Sequence, residues 1–400
     1  MIKSLRKAFN ENFTQEKYNQ YVHLIEKDLP EGALTFRVGE TPIFVDKEFK
    51  NKILNACESI VDIIVEPDFI EKSAKAISNN LQVPNDKNFS EFIVFDFGIC
   101  ENEDGVLEPQ LIEMQGFPSL FGFQAYQDIM ARKVFDIPDN FSVFLNGYDQ
   151  EKYVELLRKI IVGNHKAENV ILLEILPHEQ KTKIDFYCTK NLVGINVVCL
   201  TELIEEDGNL FYMNDGVKTA IYRIYNRIIF DDLQKQNQEI QEKGKLLFKP
   251  LNVEWAPHPN WFYRISKYTL PFIKHAFVPA TYFLHEVKAI PTDLENYVLK
   301  PLFSFSGQGV IIDVSVEDIK NIADPQNWIL QRKVKYAEII ETPDVPAKAE
   351  IRIFYFWEEG TARPIATCNL ARLSKGKMIG VRYNQDKEWV GSSLAYFEND

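Results

Sequence analysis

Three runs of this chain restrict its fold more than any other feature: Val170-Ile-Leu-Leu-Glu-Ile-Leu176, Gly194-Ile-Asn-Val-Val-Cys-Leu200 and Ala220-Ile-Tyr-Arg-Ile-Tyr-Asn-Arg-Ile-Ile229. Each is almost continuously apolar where a half-buried strand would alternate, which is the pattern of a parallel sheet covered on both faces. A helix precedes them, because Tyr153, Val154, Leu156, Leu157, Ile160 and Ile161 recur at helical spacing and Gly163 can close the last turn. The runs thus predict a separate α/β unit over residues 146–256. Arg227 and Arg223 stand toward the end of the third run, where a guanidinium suits a substrate carboxylate. An ion pair with a neighbouring acid accounts for Arg223 equally well.

Outside that unit, polar groups interrupt otherwise apolar strands. Phe92-Ile-Val-Phe-Asp-Phe-Gly98 and Pro109-Gln-Leu-Ile-Glu-Met-Gln-Gly-Phe-Pro-Ser-Leu-Phe-Gly122 flank an acidic turn and read as two paired strands, each with a carboxylate, Asp96 and Glu113. Glu113 and Gln115 are two positions apart and share a face. Oxygen ligands so spaced suit Mg²⁺, which takes one or two carboxylates together with phosphate oxygens. The plainer reading makes them surface residues of an edge strand. Later, Tyr297–Leu302 and Val310–Val314 read as the arms of a hairpin carrying Lys300, with Ser304, Ser306, Gly307 and Gly309 in a small-residue loop whose N–H groups can curl around an anion. A Ser/Gly tip is more often only a turn, and no Gly-Lys-Ser/Thr opens a helix here as a Walker loop requires.

The remaining expectations follow from spacing. Short strands are predicted at Leu34–Val38 and Pro42–Val45, and a core-facing helix through Ile53, Cys57, Ile60 and Ile64. The stretches Asp231–Lys245 and Trp261–Ile273 read as helical, the second containing Lys267. Ser315-Val-Glu-Asp318 has the form of a capping box, and Trp328–Val334 and Glu350–Trp357 read as strands, with Glu350 and Arg352 on one face. His258, in a Pro-rich turn, reads as structural.

A net charge of −13 argues against a nucleic-acid backbone or an anionic membrane surface as the main partner. The five scattered cysteines include no CxxC pair and lie mostly in apolar runs, so they read as buried thiols of a reducing cytoplasm. No apolar run reaches 18 residues, and a cytoplasmic location is expected.

Taken in order, these pieces resemble the ATP-grasp superfamily. The resemblance implies a grasp architecture of α+β type, ATP and Mg²⁺ as the bound groups, Lys267 and Lys300 as phosphate-binding lysines, and Ser304 to Gly309 as the phosphate loop. It implies Gln331, Lys333 and Val334 as the adenine hinge, and Arg352 and Arg372 as arginines of the transfer site. The family's closing Glu-x-Asn does not follow Asn384; the matching carboxylate is Glu113, in Glu113-Met-Gln115, far upstream. That order resembles the circularly permuted ligases, eukaryotic-type glutathione synthetase and glutathionylspermidine synthase. It implies Glu113, Gln115 and Asp96 as metal ligands, and Arg227 and Asn384 as substrate contacts. It divides the chain into an N-terminal part (1–145) with the metal-binding strand pair, the inserted substrate unit (146–256), and the lid and core (257–400). The activity implied joins a small acid to an amine through an acyl phosphate. An ATP-dependent phosphotransferase and a non-catalytic nucleotide binder share the same residues, and a homo-oligomer is compatible with the sequence.

Overall fold

The structure, a computed structural model, describes residues 1–303, 309–376, 379, 384 and 386–399. Its strands, in chain order, are Ile43–Val45 (β1), Phe92–Glu101 (β2), Leu107–Gln115 (β3), Phe141–Ser142 (β4), Val170–Glu174 (β5), Asn196–Cys199 (β6), Ile204–Glu206 (β7), Asn209–Asn214 (β8), Val217–Ile221 (β9), Arg223–Asn226 (β10), Glu254–Ala256 (β11), Thr281–Phe283 (β12), Tyr297–Pro301 (β13), Trp328–Arg332 (β14), Lys348–Phe356 (β15), Ile365–Ser374 (β16), Gly391–Ser393 (β17) and Ala395–Glu398 (β18).

The sheet that matters most runs β17-β16-β15-β2-β3 and is antiparallel throughout, so it joins an early strand pair to the last part of the chain. Alternation decides its two faces. Ile93, Phe95, Phe97 and Ile99 pack with Ile351, Ile353, Tyr355 and Leu373 against the helix Lys47–Ile64, which Asp46 caps by accepting the Phe49 N–H at 2.9 Å. On the opposite face Phe92, Val94, Phe354, Phe356, Cys368 and Leu370 pack around Phe121, at the head of the helix Phe121–Val134. Each fully buried Phe or Ile here contributes roughly 1.5–3 kcal/mol. Further along this second face, the same alternation that placed Phe92 and Val94 delivers Asp96 instead.

The three apolar runs supply β5, β6 and β10 of a four-stranded parallel sheet, β11-β10-β5-β6, behind the helix Gln150–Val162, and Gly163 ends that helix at φ +60°. Between β6 and β10 lies an antiparallel sheet, β7-β8-β9, that apolar content does not announce, because its strands are short and carry exposed residues such as Met213 and Val217. Two Asp-Gly pairs, Asp207-Gly208 and Asp215-Gly216, mark its turns with positive φ at all four positions.

Several expectations need correction. Leu34–Val38 supplies only a bridge from Val38 to Ser392, and the lone N-terminal strand β1 pairs with β18. The expected hairpin partner of β13 is reduced to a bridge between Leu299 and Ile311; the full partner of β13 is β14, in the sheet β12-β14-β13. Trp261–Ile273 is a four-residue helix, Trp261–Arg264, then a 3₁₀ segment, Lys267–Phe272, because Ile265 is extended and Pro271 donates no N–H. Asp231–Lys245 likewise divides, with Asn237 capping a fresh helix at Gln238–Gly244. The box at Ser315 and Asp318 forms reciprocally, as expected. All five cysteines are buried and free.

Candidate functional site

The charged patch of the central sheet is built by register. Asp96 on β2 lies directly across from Arg352 on β15 and from Glu113 on β3, while Glu350 lies across from Arg372 on β16. Arg352 donates from Nε and Nη2 to the two Asp96 oxygens, both at 2.6 Å, and from Nη1 to Ser119 Oγ at 3.1 Å. Arg372 Nη2 stands 3.2 Å from Asp96 and 2.9 Å from Glu350, and the Tyr336 hydroxyl donates to Glu350. Burial pushes the Asp96 carboxyl upward, but Arg352 and Arg372 outweigh it and hold its pKa below the ordinary range. For Glu350 burial wins, and its pKa is raised despite Arg372. The Arg372 guanidinium is held more firmly charged than usual by Asp96, Glu350 and Glu113, against its own desolvation.

A second group of charges arrives from elsewhere in the chain. The register of β2 with β3 skips one residue after Asp96, so Ile112 is extra on β3 and its carbonyl escapes the ladder. Lys300, buried on β13, donates to that carbonyl at 3.2 Å and to Gln331 Oε1 on β14 at 2.6 Å; Gln331 in turn donates to Thr281 Oγ1. Desolvation pulls the Lys300 ammonium down to about 8, opposed by Glu113 and assisted by Lys267. Lys267 is lowered for the same reason, again opposed by Glu113. Lys267, Ser266, Phe262 and Phe303 line a small cleft together with Glu113 and Gln115.

The expected residues divide as follows. Glu113, Asp96, Arg352, Arg372, Lys267 and Lys300 meet in one place. Gln115 donates to Glu113 Oε1 at 3.0 Å, which leaves its own amide oxygen available. Asp96 reaches the site with both oxygens engaged by guanidinium groups, Arg352 on each and Arg372 beside Oδ1, and so orients both arginines. Among the described residues no group of three or more His, Cys, Asp or Glu is arranged to hold a metal ion. Gln331 faces Lys300; Lys333 pairs with Asp313 at 3.6 Å; Val334 is half-buried just past β14. Gly309 has φ +72°. Ser304, Ser306 and Gly307 lie outside the described residues.

Arg227 is buried in the parallel unit, donating to the Ser119 carbonyl at 2.8 Å, 4.0 Å from Asp185 and over the ring of Phe186. Ser119 therefore joins Arg227 to Arg352. Arg223 is structural: it pairs with Glu254 and Glu91 and donates to the carbonyls of Ile160 and Ile161. Asn384 Oδ1 accepts from the Ser374 hydroxyl at 3.1 Å and from the Lys375 N–H at 2.9 Å, at the end of β16. His258 is buried between the Pro84 carbonyl and Asp86, and burial lowers its pKa. Ser119, Tyr336 and Glu350 were not nominated from sequence as site residues. The signal for Glu350 was present, a carboxylate in an apolar strand two positions from Arg352, whereas Ser119 and Tyr336 come from a turn and an irregular segment that carry no such pattern.

No family model and no curated protein matches this chain. Its fold does match a solved structure, that of a glutathione synthetase-like effector from Globodera pallida in its apo form, with a TM-score of 0.59 over 97% of this chain and 98% of that one. At 10% identity the two share a fold, and the chain is thereby a mixed α/β protein of glutathione synthetase-like architecture, as the resemblance read from its motifs implied. Among the described residues no helix is long and apolar enough to cross a membrane.

Proposed function

We propose that this chain is a cytoplasmic, ATP- and Mg²⁺-dependent ligase that joins a small amino-acid or peptide-like acid to an amine. One observation carries the reading: Glu113 and Lys267, from distant segments, line a single cleft, with Lys300 anchored behind it on the Ile112 carbonyl and Arg352 3.8 Å from Glu113. We read the union of the early β2–β3 pair with the late β15–β16 pair as the connectivity of a circularly permuted ATP-grasp, with residues 146–256 as the inserted substrate unit.

In the reaction class proposed, a carboxylate oxygen of the acid displaces ADP from the γ-phosphorus of ATP. The amine then displaces phosphate from the acyl carbon and loses a proton. Such steps rest on positioning and charge neutralisation. Lys267 and Lys300 supply positive charge toward the phosphates. Arg352, whose Nε edge is fixed by Asp96, presents its remaining N–H groups on the side of Ser119 and Glu113, so Asp96 acts as a positioning residue. Glu113 and the Gln115 amide oxygen are the residues that fit Mg²⁺, which supplies charge neutralisation on phosphate oxygens when bound. Arg227, reaching Arg352 through Ser119, holds the acid's carboxylate side of the site.

The test is ADP release from Mg-ATP in the presence of pooled amino acids, short peptides and amines. Lys300→Met should abolish it while the protein stays folded. Free phosphate accompanied by a new amide supports ligation, and a phosphorylated product points to phosphotransfer instead. The saturation of Asp96 by guanidinium groups favours a second reading, a nucleotide binder without turnover. ATP binding with no ADP release under any acceptor would establish that reading and overturn the first.

A further inference from the structure

Arg227 is only 6% exposed, yet the acid that ordinarily accompanies a buried guanidinium stands off: Asp185 Oδ2 is 4.0 Å away and accepts no hydrogen bond. The rings of Phe186 and Phe117, at 5.2 and 5.7 Å, give the guanidinium apolar neighbours but no fixed direction. Its tether is a neutral oxygen, the Ser119 carbonyl at 2.8 Å, while its Nε–H has no partner. Where Arg227 points therefore depends on what holds Ser119. That residue lies in the turn between β3 and the helix Phe121–Val134. The start of the turn is pinned, because the Gly116 N–H donates to the Ile265 carbonyl at 2.9 Å and a Cβ at Gly116 would stand 2.5 Å from the Trp261 carbonyl oxygen. Beyond it, the Phe123 N–H donates to Asp185 Oδ1 at 3.0 Å. Neither pin reaches Ser119, since the helix between them opens at Leu120 with no side-chain cap and an irregular backbone. The Ser119 hydroxyl supplies the missing hold: it accepts from Arg352 Nη1 at 3.1 Å, and Arg352 is itself locked by two 2.6 Å bonds to Asp96.

Resting on the reading of Arg227 as a contact of the acid, we infer that Ser119 is a positioning residue for Arg227. The order of support runs from Asp96 through Arg352 and Ser119 to Arg227, so the sheet that carries the transfer-site arginine also sets where the parallel unit holds its own. One residue grips the first guanidinium with its side chain and the second with its backbone. Two arginines from separate units thereby keep a fixed offset, which is what holding a substrate at a set distance from the reacting centre requires. Loss of the Ser119 hydroxyl leaves both arginines in place and no longer aligned.

Nitrogen-15 NMR of the arginine Nε–H groups in the full chain reads this alignment with no substrate present, the Arg227 signal being the one lost in Arg227→Lys. Ser119→Ala should shift that signal and speed its exchange with water on the order of tenfold, because the carbonyl that tethers Arg227 is no longer held. Ser119→Thr keeps the oxygen and should restore the natural signal. Arg352→Lys keeps a positive charge beside Asp96 but gives up the planar fork that also reaches Ser119. It should move the Arg227 signal in the same direction, and in the Ser119→Ala background it should add nothing further. An Arg227 signal unmoved by Ser119→Ala, a shift that Ser119→Thr does not reverse, or a response to Arg352→Lys that persists in the Ser119→Ala background overturns the inference, whatever the protein does with ATP. Intact coupling in a chain that releases no ADP with any acceptor overturns the ligase reading instead and leaves the Ser119 linkage standing.

Discussion

The arginine side and the lysine side of the cluster do the same electrostatic work by different structural means. Asp96, Arg352, Glu350 and Arg372 sit at facing positions of three neighbouring strands in one sheet, so backbone register alone brings them within hydrogen-bond reach. Lys267 and Lys300 come from a 3₁₀ segment and from a different sheet, and Lys300 finds its carbonyl partner only because β3 skips a residue at Ile112. The arginine side is a set of ion pairs within one sheet, Asp96 and Glu350 holding Arg352 and Arg372, with Glu113 at its margin 3.8 Å from Arg352. The lysine side is buried and held at depressed basicity by desolvation, with Glu113 as its main opposing charge.

Breaking the arginine side should have the largest effect. Arg352→Ala leaves the fully buried Asp96 without its bidentate partner and is expected to cost about 3–5 kcal/mol in denaturant unfolding. Replacing Asp96 by Asn in the same background should recover much of that loss, and a single-variant cost below about 1 kcal/mol would deny the ion-pair picture. The Tyr336 support of Glu350 comes next. A Cβ at Gly98 would stand 2.7 Å from Cε1 of Tyr336, whose hydroxyl serves Glu350, so Gly98→Ala should displace that ring at a cost of about 1–3 kcal/mol.

The lysine side should respond with the opposite sign. Burial lowers the Lys300 pKa from 10.5 to about 8, so between those values the unfolded chain binds more protons than the folded one and stability rises with pH. The penalty is therefore fully present below about pH 8 and fades toward 10.5. Lys300→Met should stabilise the protein at pH 7 by on the order of 1 kcal/mol, and that advantage should shrink in unfolding measured at pH 10. An equal advantage at both pH values would assign the gain to packing and not to buried charge. Smallest is Gln115→Asn, which shortens the reach to Glu113. Stability should stay within about 0.5 kcal/mol, and Mn²⁺ affinity measured with triphosphate present should change by less than about tenfold.

Much of this was legible in the chain before any coordinates. Asp96, Glu113 and Arg352 stood out because each interrupts an apolar strand, and a burial pattern with a charge in it demands a partner. The parallel sheet was legible because its strands leave no polar face. The partner of Lys300 was not: the stretch after Gly309 has strand-like composition, yet β14 has the better register and takes the full ladder. Nor could the metal role expected of Asp96 be separated from an arginine-binding role, since both call for a carboxylate on a buried strand.

What the sequence determined by itself was which positions face inward and which of them carry charge, because alternation and helical spacing are local properties of covalent geometry. What only the tertiary structure decided was which charges meet. Asp96 and Arg352 are 256 residues apart, and Lys300 lies 188 residues from Ile112. Neither distance along the chain leaves a mark in local pattern; strand order and a one-residue bulge fix both.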